Sequence, residues 1–403
     1  MMSMIQHILK LIWTQRRRNL WIFAELLVVF ALAWYIVDYQ FVLIHNRMLP
    51  NGYDVADTYR ISYKSLTDKN KEAFRQFYDR VRLYPGVESA FLTDRFSGVM
   101  PYSDTYNGIS ISVDSTGNSQ TYYGQMKAIG SNNYFEVFKV HSVVNPSALG
   151  RLDRSNSRSV VLTQNLAEAL FKGASPMGKR VFMNGKSEYV VTDVVQPQKQ
   201  YDHAQPHHSV FYYENDTTIA KPEIAIRVAP NFSFEQFKKE VSGSIVSYKN
   251  VGRDLDFMLG VTNEIRLRTG LMIFFLLNVA LGIIGTFWFR NAAKHGEIGL
   301  RMALGSSRST IQKQYIAEAV LLLTLAAVPA VCVNFTLLEA GVIKTLGEQF
   351  SDSGYITANK WLRFIITNGL TYLLLAVIVA LSAWIPANKA SKVHPVEALR
   401  DNG

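Results

Sequence analysis

Cysteine is almost missing from this chain of 403 residues; Cys332 is the only one. No intrachain disulfide can form, and every zinc or iron–sulfur site that needs several thiolates is excluded. Charge is also sparse. Only 18% of residues are Asp, Glu, Lys or Arg, against roughly 25% in soluble domains. That deficit argues against an ordinary cytosolic enzyme. The little charge there is carries a bias, a net +10, which points to nucleic acid or membrane until its location is known.

What is present in excess is apolar sequence. Leu271 to Phe289 is a run of 19 residues without charge, Ala319 to Leu338 one of 20, and Phe364 to Pro386 one of 23. A hydrocarbon core about 30 Å thick is crossed by around 20 helical residues, so each run is long enough to span it. A fourth span is expected over Asn19–Ile44, where Glu25 and Asp38 flank the uncharged stretch Leu26–Val37. It is too long for a signal peptide, follows eighteen residues with apolar positions of their own, and precedes no small-residue cleavage site, so it is expected to be retained.

The basic residues cluster beside these spans. Residues 1–18, 290–314 and 387–403 together sum to +9, whereas 339–363 sum to zero. By the positive-inside rule, both termini and 290–314 lie in the cytoplasm, and 45–268 and 339–363 lie outside. Most of the positive charge is therefore a topology signal, and nucleic acid is not an expected partner. The expected organisation is a cytoplasmic amphipathic helix (1–18, with Ile5, Ile8, Leu9 and Ile12 at helical spacing), a first span (19–44) and an extracytoplasmic domain (45–268). After these come a second span (269–289), a cytoplasmic loop (290–314), a third span (315–338), a short outer loop (339–363), a fourth span (364–386) and a cytoplasmic tail (387–403).

The outer segment of 224 residues holds 27 basic and 23 acidic side chains, an ordinary solvated balance with enough length for one or two subdomains. Helices are expected over Lys69–Leu83, Gln164–Phe171 and Ser233–Val246. A strand is expected at Ser159–Leu162, and a hairpin pairs Arg180–Met183 with Tyr189–Val195 across Asn184-Gly185. The fold class is thus a membrane protein of four transmembrane α-helices, one plus three, with a large α+β extracytoplasmic domain between helices 1 and 2.

Several candidate sites fail on their chemistry. Gly173-Ala174-Ser175-Pro176-Met177-Gly178-Lys179-Arg180 approaches a phosphate-binding loop, but Arg180 stands where a magnesium-binding Ser or Thr belongs. The helix-then-strand order is also the reverse of what the motif needs, so it reads as a turn. No other Walker-type element accompanies it, and no ATP hydrolysis by this chain alone is expected. His203, His207 and His208 share a Pro-bearing loop with Asp202 as the only nearby acid; a solvated loop is expected there, not a metal site. Glu25 and Asp38 are expected near opposite interfaces of the first span, with no basic partner inside the spans. Cys332 is expected to be a packing residue. No nucleophile–base pair is apparent, so no catalytic, cofactor-binding or metal-binding residue is assigned.

The loop 290–314 is more informative. Ile298, Arg301 and Met302 follow helical spacing, Gly305-Ser306 ends that short helix, and Ser307 is placed to cap the next one. A short charged helix between two spans suits a docking knob for a cytoplasmic partner.

The stretch Glu297-Ile298-Gly299-Leu300-Arg301-Met302-Ala303-Leu304-Gly305-Ser306-Ser307 closely resembles the loop of MacB/FtsX-like (type VII) ABC transporter permeases. The ending Pro386-Ala387-Asn388-Lys389-Ala390-Ser391-Lys392-Val393-His394-Pro395-Val396-Glu397-Ala398-Leu399-Arg400 and the outer stretch Ser159–Val195 are similar to the same family, the latter to its periplasmic core domain. The resemblance implies that Glu297, Ile298, Gly299, Leu300, Arg301, Ala303, Leu304, Gly305 and Ser307 form the coupling helix that meets an ATPase subunit. It further implies a dimer, of identical or paralogous permeases, in the bacterial inner membrane. No nucleotide-binding domain is seen in this sequence, so ATP and magnesium are expected in a separate partner chain, and no cofactor in this one. A periplasmic adaptor or outer-membrane factor is a further implied partner. The implied function is export or extraction of a substrate through movements of the outer domain driven from inside. Lipoprotein release, or regulation of a cell-envelope enzyme or sensor without transport, stays open beside it. Apart from Glu318, no charge lies within the runs from 271 onward to line a pore, which favours mechanical transmission.

Overall fold

The computed structural model describes residues 10, 12–14, 16–115, 120–214, 219–241, 243–293, 298, 300, 302–341 and 359–391. The chain divides into a membrane unit (Met1–Val42, Asn263–Glu348 and Gly354–Gly403) and a head built on Leu43–Thr262.

Among the described residues, four helices are long and apolar enough to cross a bilayer: α1 (Arg16–Met48), α7 (Val261–Ala293), α8 (Arg308–Glu339) and α9 (Lys360–Ala390). Each is longer than its uncharged run, because the helices continue into flanking polar residues. Their shared core takes one stripe from each helix: Ile22, Leu26, Val29, Phe30 and Ala33 from α1, and Val279, Ile283 and Phe287 from α7. These are three to four residues apart, the spacing that puts side chains on one helical face. α8 and α9 contribute small residues, Ala319, Ala326, Ala330 and Ala383, which allow close backbone approach where no hydrophobic force draws helices together. Polar bonds pin the bundle: Trp34 Nε1 donates to Thr367 Oγ1 at 2.9 Å, and Asn334 Nδ2 to Asn368 Oδ1 at 3.0 Å. Leu271, Phe274, Leu277 and Leu281 stay exposed on the opposite face of α7, an apolar surface suited to lipid or another helix.

Among its described residues the head contains two β-structures. The first is an antiparallel sheet in the order β10-β1-β9-β2, from β1 (Thr58–Ser62), β2 (Val87–Asp94), β9 (Pro222–Val228) and β10 (Ser244–Ser247). α2 (Lys71–Arg82) and α5 (Phe234–Glu240) cover one face of it through Phe74, Phe77, Val81 and Phe237. The second is a closed six-stranded barrel, in the order β3-β4-β8-β5-β7-β6. Its strands are β3 (Gly108–Ser112), β4 (Tyr122–Ile129), β5 (Ser159–Thr163), β6 (Arg180–Met183), β7 (Ser187–Val195) and β8 (Ser209–Tyr213). Closure leaves no unpaired strand edge. The short α3 (Asn133–Val137), α4 (Gln164–Phe171) and α6 (Tyr248–Met258) complete the head.

Strand alternation explains the cores. In β9, Ile224 and Ile226 face α2, while Ala225 faces the core shared with Phe91, Tyr134, Phe135, Phe138, Phe211 and Tyr248. Arg227 lies on that second face fully buried. It is tolerated because its guanidinium donates to Val137 O, Ala56 O and Asp54 O and pairs with Asp54. The hairpin at Asn184-Gly185 forms as the sequence implies, with both turn residues at positive φ. The helix expected over Ser233–Val246 stops at Glu240, and Ser244–Ser247 instead becomes the edge strand β10 paired with β1. The β-branched Ile245 and Val246 complete the sheet there, so pairing overrides the helical continuation.

Candidate functional site

The loop between α7 and α8 is held from one side. Ile298 is buried against Ile311 of α8 and Ala390 of α9, with Met302 and Tyr315 packed around them. Backbone bonds from Leu304 N to Leu300 O and from Gly305 N to Met302 O close the turn, and Gly305 ends it at φ +98, a conformation that favours glycine. Ser307 caps α8, its hydroxyl accepting from Thr310 N at 3.2 Å. The neighbouring ends of the membrane helices are fastened by Lys389 stacked 3.7 Å over the Trp288 ring and by Gln312 Nε2 donating to Ser391 Oγ at 3.0 Å.

The other side of the loop is open. Leu300 is 49% exposed and Leu304 80% exposed, four residues apart, with Ala303 exposed beside them. The turn is thus anchored on one face and offers two leucines to solvent on the other. Of the coupling-helix residues expected from the sequence, Leu300, Ala303 and Leu304 lie on the exposed side, Ile298 on the buried side, and Gly305 and Ser307 at the end of the turn and the cap of α8. Glu297, Gly299 and Arg301 lie outside the described residues.

Other sequence candidates settle differently. Gly173 and Gly178 are turn residues at positive φ between α4 and β6, and Lys179 lies 4.9 Å over the Phe171 ring. Cys332 is exposed on α8, not packed as expected, because the buried stripe of that helix runs through Ala330 and Asn334 instead. Asp38 does have a basic partner, contrary to expectation: Arg363, buried near the start of α9, pairs with it at 3.2 Å. The sequence places Arg363 in the outer loop, but α9 begins before it and carries it into the bundle. Glu25 lies against Gly282, where an added Cβ would come within 2.6 Å of the carboxylate.

The histidine loop is the largest correction. Instead of being solvated, His203 and His207 are buried. His207 Nε2 lies 2.6 Å from Gln125 Oε1, and His203 Nδ1 lies 2.8 Å from Asp256 Oδ1. Among the described residues no cluster of metal-ligating side chains forms. Beside His207 lies a residue that sequence reasoning missed. Lys127 is fully buried, its ammonium donating to Gln198 Oε1 at 2.8 Å beneath the Phe211 and Tyr134 rings. Burial pushes Lys127 down to about 7. Burial, then the nearby Lys127 and His208, push His207 down to about 3. The available signal was the period of β4, where Gln125, Lys127 and Ile129 share the inward face.

Residues 47–243 match the model of the MacB-like periplasmic core domain, and residues 269–395 that of the FtsX-like permease C-terminal region. The chain is 21% identical over 273 residues to the macrolide export ATP-binding/permease protein MacB of Neisseria meningitidis, covering 61% of this chain and 39% of that protein. It is equally 21% identical to the uncharacterized ABC transporter permease YknZ of Bacillus subtilis, covering 61% of this chain and 62% of that one. This chain thus spans about two-fifths of the length of the macrolide-export relatives it matches. Two solved structures are similar to part of it. The periplasmic region of MacB from Actinobacillus actinomycetemcomitans is 15% identical, with 51% of this chain and 94% of that one covered and a TM-score of 0.33. The extracellular domain of YknZ from Gram-positive bacteria is 16% identical, with 50% and 95% covered and a TM-score of 0.29. With both family models matched in order, on either side of the second membrane helix's start, the chain belongs to the MacB/FtsX-like ABC transporter permeases.

Proposed function

We propose that this chain is the permease subunit of an ABC transporter that couples ATP hydrolysis by a separate cytoplasmic ATPase to movements of its head. Both termini and the loop at 298–307 face the cytoplasm in this reading, and the head faces the periplasm of a bacterial inner membrane. Two permease copies, identical or paralogous, provide the two docking loops that a pair of ATPase subunits needs. The substrate is exported or extracted on the head side, and no pore through the bundle is required.

The observation that carries this reading is the one-sided loop. Ile298 is locked onto α8 and α9 while Leu300 and Leu304 project free. A knob fixed to two membrane helices transmits any push on it to those helices without local yielding, because packed interiors resist deformation. The charge distribution of the sequence supports the orientation.

Co-purification of the ATPase with the full chain tests the proposal. Leu304→Asp removes an apolar side chain and puts a charge in the interface. Losing ~1.5–3 kcal/mol of apolar burial corresponds to binding weakened by roughly 10- to 100-fold. Gly305→Trp strains the turn at its positive φ and is expected to act in the same direction. Unchanged complex formation in both variants would reject this docking site.

A further inference from the structure

The segment Pro197–His203 crosses the end of α1 inside the head. Lys199 is fully buried, and its ammonium donates to the carbonyls of Asn46 and Leu49. The last carbonyls of a helix have no partner within it, and a cation there is favoured by the helix dipole. Lys199 N donates to Asn51 O at 3.1 Å, and the buried Asn46 side chain donates to His203 O at 3.0 Å. Gly52, at φ +75, lets the backbones touch: a Cβ there would stand 1.9 Å from Pro197 O.

From the other side, one carboxylate joins three elements. Asp256 of α6 pairs with Arg47 of α1 at 3.0 Å and with His203 of the segment at 2.8 Å. Burial alone would raise the Asp256 carboxyl, but His203 and Arg47 together hold it below the ordinary carboxylate range. α6 in turn leads into α7 through Leu259-Gly260, where Gly260 adopts φ +76 with open space around it.

We infer that Pro197–His203 is a latch that fastens the ends of α1 and α6, the two helices leading to the membrane, to a single point of the head. Lys199 and Asp256 are its positioning residues. The inference rests on the permease reading and specifies where force enters the head. A helix end joined to a domain only by a loop would slide without moving it. Here the terminal carbonyls, a terminal side chain and the adjacent turn are all bonded to one strap, so displacement of α1 carries the head with it. Gly260 leaves the second connection free to pivot.

The test uses the full chain with its ATPase in lipid nanodiscs. Spin labels are placed at Lys186→Cys in the head and Val328→Cys in the membrane unit, with Cys332→Ser. The distance distribution is compared without nucleotide and after trapping with ATP and vanadate. The unaltered latch is expected to give a nucleotide-dependent shift. Lys199→Met is expected to keep ATP turnover within about twofold while the shifted population falls by about tenfold, and Lys199→Arg, which retains donors, to restore it. Asp256→Asn is expected to act in the same direction with a smaller loss and serves if Lys199→Met fails to fold, judged by hydrogen-exchange protection of the β5 amides. Shifts of full size in both variants would overturn the latch. No shift in the parent would remove the movement the latch is to transmit, and the permease reading with it, whereas Leu304→Asp tests ATPase docking separately.

Discussion

Arg363 and Lys127 are both buried cations, one in each unit, and the protein accommodates them in opposite ways. In the membrane unit, Arg363 is set against the carboxylate of Asp38. In the head, Lys127 faces Gln198 and two aromatic rings, with no carboxylate at ion-pair distance among the described residues. Arginine does not shed its proton, so its burial demands an opposite charge. Lysine can become neutral near pH 7 and then needs only dipoles. The chemistry of the side chain, rather than the unit or its depth, decides the solution: Arg227, buried in the head, is likewise paired with a carboxylate, Asp54.

Breaking the pair gives the largest effect. Arg363→Met takes the guanidinium away from the buried Asp38 carboxylate and is expected to destabilise the chain by about 3–5 kcal/mol. Asp38→Asn with Arg363→Met removes both charges and is expected to recover most of that loss. Thermal unfolding of the full chain in nanodiscs, read in single and double variants, checks both. Equal melting of single and double variants would show that the pair carries no charge burden.

The head is expected to answer to pH instead. The folded Lys127 titrates at about 7, below its ordinary value of 10.5, so the unfolded chain binds more protons between those values. Stability therefore rises as pH climbs from about 7 to 10.5, and the cost of charging this lysine is complete below 7. His207 adds the same sign lower down: its folded value of about 3 lies below the ordinary 6.5, so acidification across that window destabilises the head. Head hydrogen exchange measured from pH 4 to 9 in the full chain reads both. Lys127→Met is expected to flatten the alkaline limb and, by removing one of the charges that hold His207 down, to weaken the acid limb in part. A limb of unchanged slope would sink the assignment.

The smallest effect sharpens the membrane side of the comparison. Gly282→Ala forces its methyl onto the Glu25 carboxylate, the far end of a flexible side chain, so a loss of only about 1 kcal/mol is expected. Glu25→Ala in the same background is expected to relieve it, again by thermal unfolding. No interaction between the two substitutions would mean that they do not touch.

Features that depend on local pattern are legible in the order of the amino acids. The apolar runs declare the four membrane helices, Asn184-Gly185 declares its hairpin, and Gly305 with Ser307 marks the end of one helix and the start of the next. The two-faced turn proposed to dock the ATPase is legible for the same reason, since Leu300 and Leu304 are one helical turn apart and Ile298 belongs to the other face. The Ser244–Ser247 strand is not, because its partner β1 lies some 180 residues earlier and local propensity is silent about such pairing. Nor is the burial of His203 and His207. Polar residues between prolines read as solvated until β8 is laid parallel to β4 and α6 is brought against the strap.

Sequence alone therefore determined which helices are long and apolar enough to meet the membrane and where the turn between the second and third of them ends, because hydropathy and helical period act over a few residues. Tertiary structure decided which charges are shared. Asp38 with Arg363, Lys199 with the end of α1, and Asp256 between Arg47 and His203 each join groups more than 150 residues apart in at least one of their bonds. Coulomb and hydrogen-bond energies depend on distance in space, and only the folded chain sets that distance.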